Sequence, residues 1–123
     1  MFLPAGRGEV KAMFFPESER VFKDHPKFEG VRIAVLVSSS NTDRVGVSVL
    51  EIAPGVAVPS HLHESQVDSI YVLAGQGQAL LGGSWQPLSA GDYLFVPPGV
   101  EHGVRNTGSG PLQLFVHHSP PLF

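Results

Sequence analysis

Six histidines stand in a chain of 123 residues that has no cysteine. Two of them, His61 and His63, are separated by one residue. In a strand, positions i and i+2 face the same side, so this pair points together at the end of one strand. Neutral imidazole is the commonest protein metal ligand, and an H-x-H pair supplies two of the three positions of a facial metal site. Alone, the pair also reads as two surface histidines. The absence of cysteine excludes a disulfide scaffold, a thiolate metal site and a cysteine nucleophile. Any metal must therefore sit on His, Asp, Glu or amide oxygens.

The surroundings sharpen the reading. Gly55, His61, His63, Asp68 and Gly75 form the pattern G-x5-H-x-H-x4-D-x6-G. Gly91, Pro97, Gly99, His102 and Asn106 form a second, G-x5-P-x-G-x2-H-x3-N. Fifteen residues, Gln76 to Ala90, separate the two blocks. Together they resemble the paired motifs of the cupin superfamily. The second matches at every fixed position, whereas the first has Asp68 where the family pattern has glutamate.

The resemblance implies an all-β fold, the antiparallel double-stranded β-helix or jelly-roll cupin barrel. It implies one divalent transition metal in the barrel mouth, held by His61, His63, Asp68 and His102. Gly55 and Gly75 would be turn glycines, Pro97 and Gly99 would shape the loop that delivers His102, and Asn106 would be structural. Three imidazoles and a carboxylate leave two open octahedral positions and suit Fe(II), Mn(II), Ni(II), Co(II), Cu(II) or Zn(II) rather than Ca(II) or Mg(II). Aspartate reaches about 1.5 Å less far than glutamate. Asp68 therefore either ligates directly, holds a metal-bound water or orients a histidine; a three-histidine site with Asp68 outside it is the competing geometry. In a catalytic site Asp68 is also the candidate proton acceptor. Glu64 and Gln66 read as solvated loop residues, His25 as part of a turn, and at most one of His117 and His118 faces the pocket.

These side chains need strands to position them. Fourteen glycines and eleven prolines punctuate short apolar runs, the mark of many strands joined by tight turns. Strands are expected at Val31–Ser38, Val45–Ile52, Val58–His63, Ser69–Ala74, Gln76–Leu81, Tyr93–Val96, His102–Asn106 and Leu112–His117, with another starting near Trp85. The one helical candidate is Pro16–Lys23. Residues 31–123 form one domain, and residues 1–30 a looser arm. By the resemblance that arm pairs two copies as a homodimer through Phe2, Phe14, Phe15 and Phe22.

Parity from Asp68 turns Ile70 and Val72 inward and Tyr71 outward; parity from His102 puts Val104 and Asn106 on the ligand side. Tyr93 and Phe95 share a face beside the second motif. On the last strand Gln113 and Phe115 share one face, and Leu112, Leu114 and Val116 the other. The cavity is expected to be mostly apolar with a few amides, with Arg32 the cationic candidate.

Charge and composition limit the partners. Eleven acidic against eight basic residues give a net charge of −3, which offers nucleic acid no basic face. Seven of the basic residues, Arg7 to Arg44, precede Val45, and Arg105 alone follows, so phosphorylated substrates are poorly matched. No apolar run approaches the roughly 20 residues of a membrane span. The start of the chain lacks a signal-peptide pattern, so a cytoplasmic protein is the default expectation. Gly75-Gln76-Gly77 lacks the third glycine and the helix of a dinucleotide loop. Ser60 has no nucleophile elbow around it. Two readings remain open: a metal-dependent enzyme of dioxygenase, lyase or isomerase type acting on a small chelating substrate, and a non-catalytic ligand- or metal-binding module.

Overall fold

The computed structural model describes residues 11–123, so the expectations placed on Phe2 and Arg7 lie outside the described residues. Ten strands follow in order: β1 Lys23–Asp24, β2 Val31–Val37, β3 Gly46–Ile52, β4 Ala57–His61, β5 Val67–Ala74, β6 Gln76–Leu81, β7 Ser84–Ser89, β8 Tyr93–Val96, β9 His102–Asn106 and β10 Leu112–Ser119. Where a helix was expected, Pro16–Lys23 forms only a 3₁₀ turn at Glu17–Glu19, and Lys23 opens β1. The sequence offers one or two helical turns there at most, a weak local preference. Pairing of Lys23 with Ile33 and of Asp24 with Arg32 outweighs it, because strand formation depends on available partners more than on propensity.

The strands form two antiparallel sheets, ordered β1-β2-β3-β10-β5-β8 and β4-β9-β6-β7. This is the jelly-roll arrangement, although hydrogen bonding does not close the two sheets into one ring. The core lies between them and draws on both: Ile52, Val72, Leu112 and Leu114 from the larger sheet, Val58, Ala79, Leu88 and Val104 from the smaller. Strict alternation drives this packing. Along β10, Leu112, Leu114, Val116 and His118 are buried while Gln113, Phe115 and His117 are half-buried on the other face. Along β5, Asp68, Ile70 and Val72 turn inward and Tyr71 turns out. Tyr93 and Phe95 lie on the outside, and Leu94 and Val96 fill the interior.

The turns fix where the strands end. Gly75 has φ +94°, and a Cβ there would land 2.5 Å from the Pro111 carbonyl oxygen, so only glycine fits between β5 and β6. Gly99 has φ +77° and donates its N–H to the His63 carbonyl at 2.8 Å. That bond ties the loop before His102 to the segment carrying the first two histidines.

Asn106 pins the opposite end of the barrel. Its side-chain amide donates to the carbonyls of Ile52 (2.9 Å) and Gly110 (2.8 Å), and its Oδ1 accepts from Gly108 N–H (2.9 Å). It is therefore structural and does not line the ligand cavity. Asn106→Ala strands two carbonyls and an amide in a buried corner, which is expected to cost about 2–3 kcal/mol of unfolding free energy. A chemical-denaturation midpoint unchanged from the parent would contradict that.

Candidate metal centre

Two cross-strand pairs build the site. His61 at the end of β4 lies opposite His102 at the start of β9. Asp68 on β5 lies opposite His118 on β10. One pair comes from each sheet, so the four side chains meet between the sheets. His63 joins them from the connection between β4 and β5, two residues past the end of β4. Ligand atoms of His61, His63, Asp68 and His102 all lie within 4.8 Å of one another. The histidine rings stand close, with centroids 5.0 Å apart for His61 and His63 and 4.3 Å for His61 and His102.

Backbone carbonyls set which nitrogen faces the site. His61 Nδ1 lies 2.8 Å from the Pro59 carbonyl, and His102 Nδ1 lies 3.0 Å from that of Val100. A carbonyl only accepts, so each Nδ1 carries the proton and each Nε2 is left with a lone pair. This is the outer hydrogen bonding that orients metal-ligating histidines.

The lone pairs meet another acceptor. His102 Nε2 lies 3.0 Å from Asp68 Oδ2, His118 Nε2 lies 3.4 Å from it and His63 Nε2 3.5 Å. Asp68 is 4% exposed, and its Oδ1 is buried with no hydrogen-bond partner among the described residues. Two acceptors at 3.0 Å need a proton or a metal cation between them. Burial pushes the Asp68 carboxyl up, but hydrogen bonds from His102 and His118, with their charges, hold it well below the usual carboxylate range. Burial pushes His102 down, and its bonds to Asp68 and to the Val100 carbonyl outweigh that and raise it. Burial lowers His61, and it lowers His63 to about 4 despite the attraction of Asp68. The donor set of imidazole nitrogens, a dissociated carboxylate and an orphaned oxygen thus fits a divalent transition metal.

The cluster opens into a cavity of about 230 Å³, smaller than the roughly 300–1,000 Å³ of pockets for drug-sized ligands. Ile33, Leu50, Val58, Ile70, Val104 and Leu114 form much of its wall. Among the described residues no asparagine or glutamine lines it, contrary to the expected amides, and Val72 packs in the core instead. Arg32 does not enter: it pairs with Glu51 at 3.5 Å and lies over the Phe22 ring, outside the cavity. The basic residue at the wall is Lys27. Glu64 is exposed, and Gln66 lies 3.5 Å from the Pro121 carbonyl.

Two residues gain a place that sequence reading did not give them. His118 is buried against Asp68; the alternation of Leu112, Leu114 and Val116 was its signal, since position 118 shares their face. His25 immediately precedes the bend at Pro26 and Lys27, and its ring also lines the cavity.

The histidine shifts predict an acid sensitivity in the metal-free protein. His61 and His63 bind protons more readily once unfolded, so their contribution is complete above pH 6.5 and is lost as pH falls toward 4. His102, raised, contributes fully below 6.5. Asp68, lowered, keeps its contribution until pH drops below about 4. The unfolding midpoint of the metal-free protein should therefore fall between pH 6.5 and 4; a flat or rising midpoint would contradict these environments.

Comparison with known proteins agrees with this architecture. An oxalate-binding protein of Thermotoga maritima is 34% identical over 64 residues, which span 52% of this chain and 53% of that protein. Protein SchB of Streptomyces halstedii is 34% identical over 76 residues, 62% of this chain and 54% of that one. The chain thus spans about half the length of these curated relatives. Among solved structures, a Thermotoga maritima protein described as a predicted oxalate decarboxylase superposes with a TM-score of 0.76 at 28% identity, covering 89% of this chain and all of that one. KdgF from Halomonas sp. superposes with a TM-score of 0.76 at 23% identity, over 88% of this chain and 94% of that one, a likeness of fold alone. The sequence model of the cupin domain matches residues 48–118, more than half of the chain, and the protein belongs to the cupin family.

Proposed function

We propose that His61, His63, Asp68 and His102 hold one divalent transition metal, and that the site binds a small molecule through oxygens presented to that metal. The observation that carries this reading is the convergence of acceptors. The Pro59 and Val100 carbonyls turn the Nε2 atoms of His61 and His102 toward the site, and His102 Nε2 lies 3.0 Å from a buried carboxylate whose second oxygen has no hydrogen-bond partner among the described residues. A bound metal would supply Lewis acidity to a coordinated oxygen.

The remaining work falls to the chain itself. The cavity wall is largely apolar, and among the described residues the protonatable or cationic side chains along it are the histidines and Lys27 near His61. A ligand whose negative charge is confined to its chelating oxygens fits; a phosphosugar, which wants several cations, does not. Asp68 stays ionised and holds His102 in place. On this reading the protein is a metal-dependent enzyme of dioxygenase, lyase or isomerase type. The name of the Thermotoga oxalate-binding relative supports a second reading, saturable binding without turnover.

Elemental analysis of the protein should find about one Mn, Fe, Co, Ni, Cu or Zn per chain. His61→Ala should lower that content at least tenfold while the metal-free variant unfolds within about 1 kcal/mol of the metal-free parent. No metal in the parent after reconstitution with each of these ions would overturn the proposal. Product formation from a chelating substrate, as against saturable binding alone, then separates the two readings.

A further inference from the structure

Six aromatic rings close a circuit around the cavity. His25 and Phe28 have centroids 4.8 Å apart, Phe28 and His61 5.8 Å, His61 and His63 5.0 Å. His63 and His118 are 5.1 Å apart, His118 and Phe123 6.4 Å, and Phe123 and His25 6.2 Å. All six line the cavity, and each separation lies within the range of aromatic pairs. The metal-ligand histidines occupy one side of this circuit, and His25 the other, beyond Phe28 and Phe123.

His25 is held firmly. It sits in the connection between β1 and β2, where its N–H donates to the Val31 carbonyl at 2.8 Å. Its Nδ1 accepts from the N–H groups of Lys27 (3.0 Å) and Phe28 (3.3 Å). An Nδ1 that accepts carries no proton, so the neutral ring bears its hydrogen on Nε2. That Nε2 has no protein partner among the described residues, although the ring lines the cavity. Burial, then the charges of Lys27 and His61, lower His25 below the usual histidine range and favour the neutral form.

We propose that His25 is a ligand-binding residue that donates its Nε2–H to a distal oxygen of a flat, unsaturated chelator, whose body passes through the ring circuit and whose paired oxygens meet the metal site. This rests on the metal reading above and extends it to a substrate class. Flatness follows from the ring-lined walls, which favour π-faced ligands. The distal acceptor follows from the His25 Nε2–H, a fixed donor without a partner among the described residues. A bare two-carbon chelator would leave both the rings and the donor uncontacted.

The test uses Zn(II)-loaded protein and two probes, catechol and 3,4-dihydroxyacetophenone. The second adds a neutral carbonyl on the far side of the ring. His25→Asn is the informative variant, because an asparagine Oδ1 can take over the Nδ1 role toward Lys27 and Phe28 while removing the distal donor. Calorimetric titration gives the ratio of the two affinities in each protein, in which the loss of His25 ring contact, common to both probes, cancels. The advantage of the acetyl compound over catechol should be about three- to tenfold larger in the parent than in His25→Asn. An equal advantage in both proteins overturns the proposal, as does a variant that weakens both probes alike, which would make His25 a loop cap only. Zinc held at one per chain with no catechol binding overturns the ligand class and leaves the metal reading standing. Failure to hold any of Mn, Fe, Co, Ni, Cu or Zn after reconstitution overturns both.

Discussion

A carboxylate 4% exposed inside a small β domain is unstable unless positive charge or donated hydrogen bonds meet it. Asp68 is that group here, and the architecture around it answers the demand. Three Nε2 atoms stand within 3.5 Å of one of its oxygens. The two sheets supply these groups from different directions: His118 across the β5–β10 register, His102 from β9, and His63 from a segment tied by its carbonyl to Gly99. None could shift by one residue. A single-residue slip of β10 would turn His118 outward and bring His117 in, and it would also expose Leu112, Leu114 and Val116. Core packing and site geometry therefore enforce the same register.

The backbone contributes as much as the side chains. Pro59 and Val100 each offer a carbonyl to the histidine two residues on, and this small local device decides which ring nitrogen faces the carboxylate. The result is an arrangement short of one positive charge. A proton on His102 supplies it in the metal-free protein, as the raised affinity of that ring for protons indicates. A divalent ion supplies it on the proposed reading, and proton and metal then compete for the same place.

Much of this was legible in the sequence, for identifiable reasons. His61, His63, Asp68 and His102 were marked by residue type and spacing, and the glycines and prolines between them delimited most strands. What escaped depended on distant partners. β1 is two residues long and exists only because β2 offers it a ladder, so its local sequence read as helix. His118 lies just past the expected end of the last strand at His117, yet β10 extends through Ser119. Arg32 was a sensible cationic candidate until Glu51 and Phe22, set beside it by sheet pairing and strand order, drew it to the outer surface. Tyr93 and Phe95 illustrate a further limit: they share a face as expected, but which face is inward is decided by Leu94 and Val96 packing against the opposite sheet.

The central claim is that carbonyl-fixed tautomers make the His61 and His102 Nε2 atoms the groups that bind a metal. Long-range ¹H–¹⁵N correlation spectra of the histidine rings, recorded on the Zn(II)-loaded protein, test it directly. Both rings should carry their proton on Nδ1 and show a metal-shifted Nε2. Protons on Nε2 of either ring, or Nε2 shifts unchanged by zinc, would contradict it.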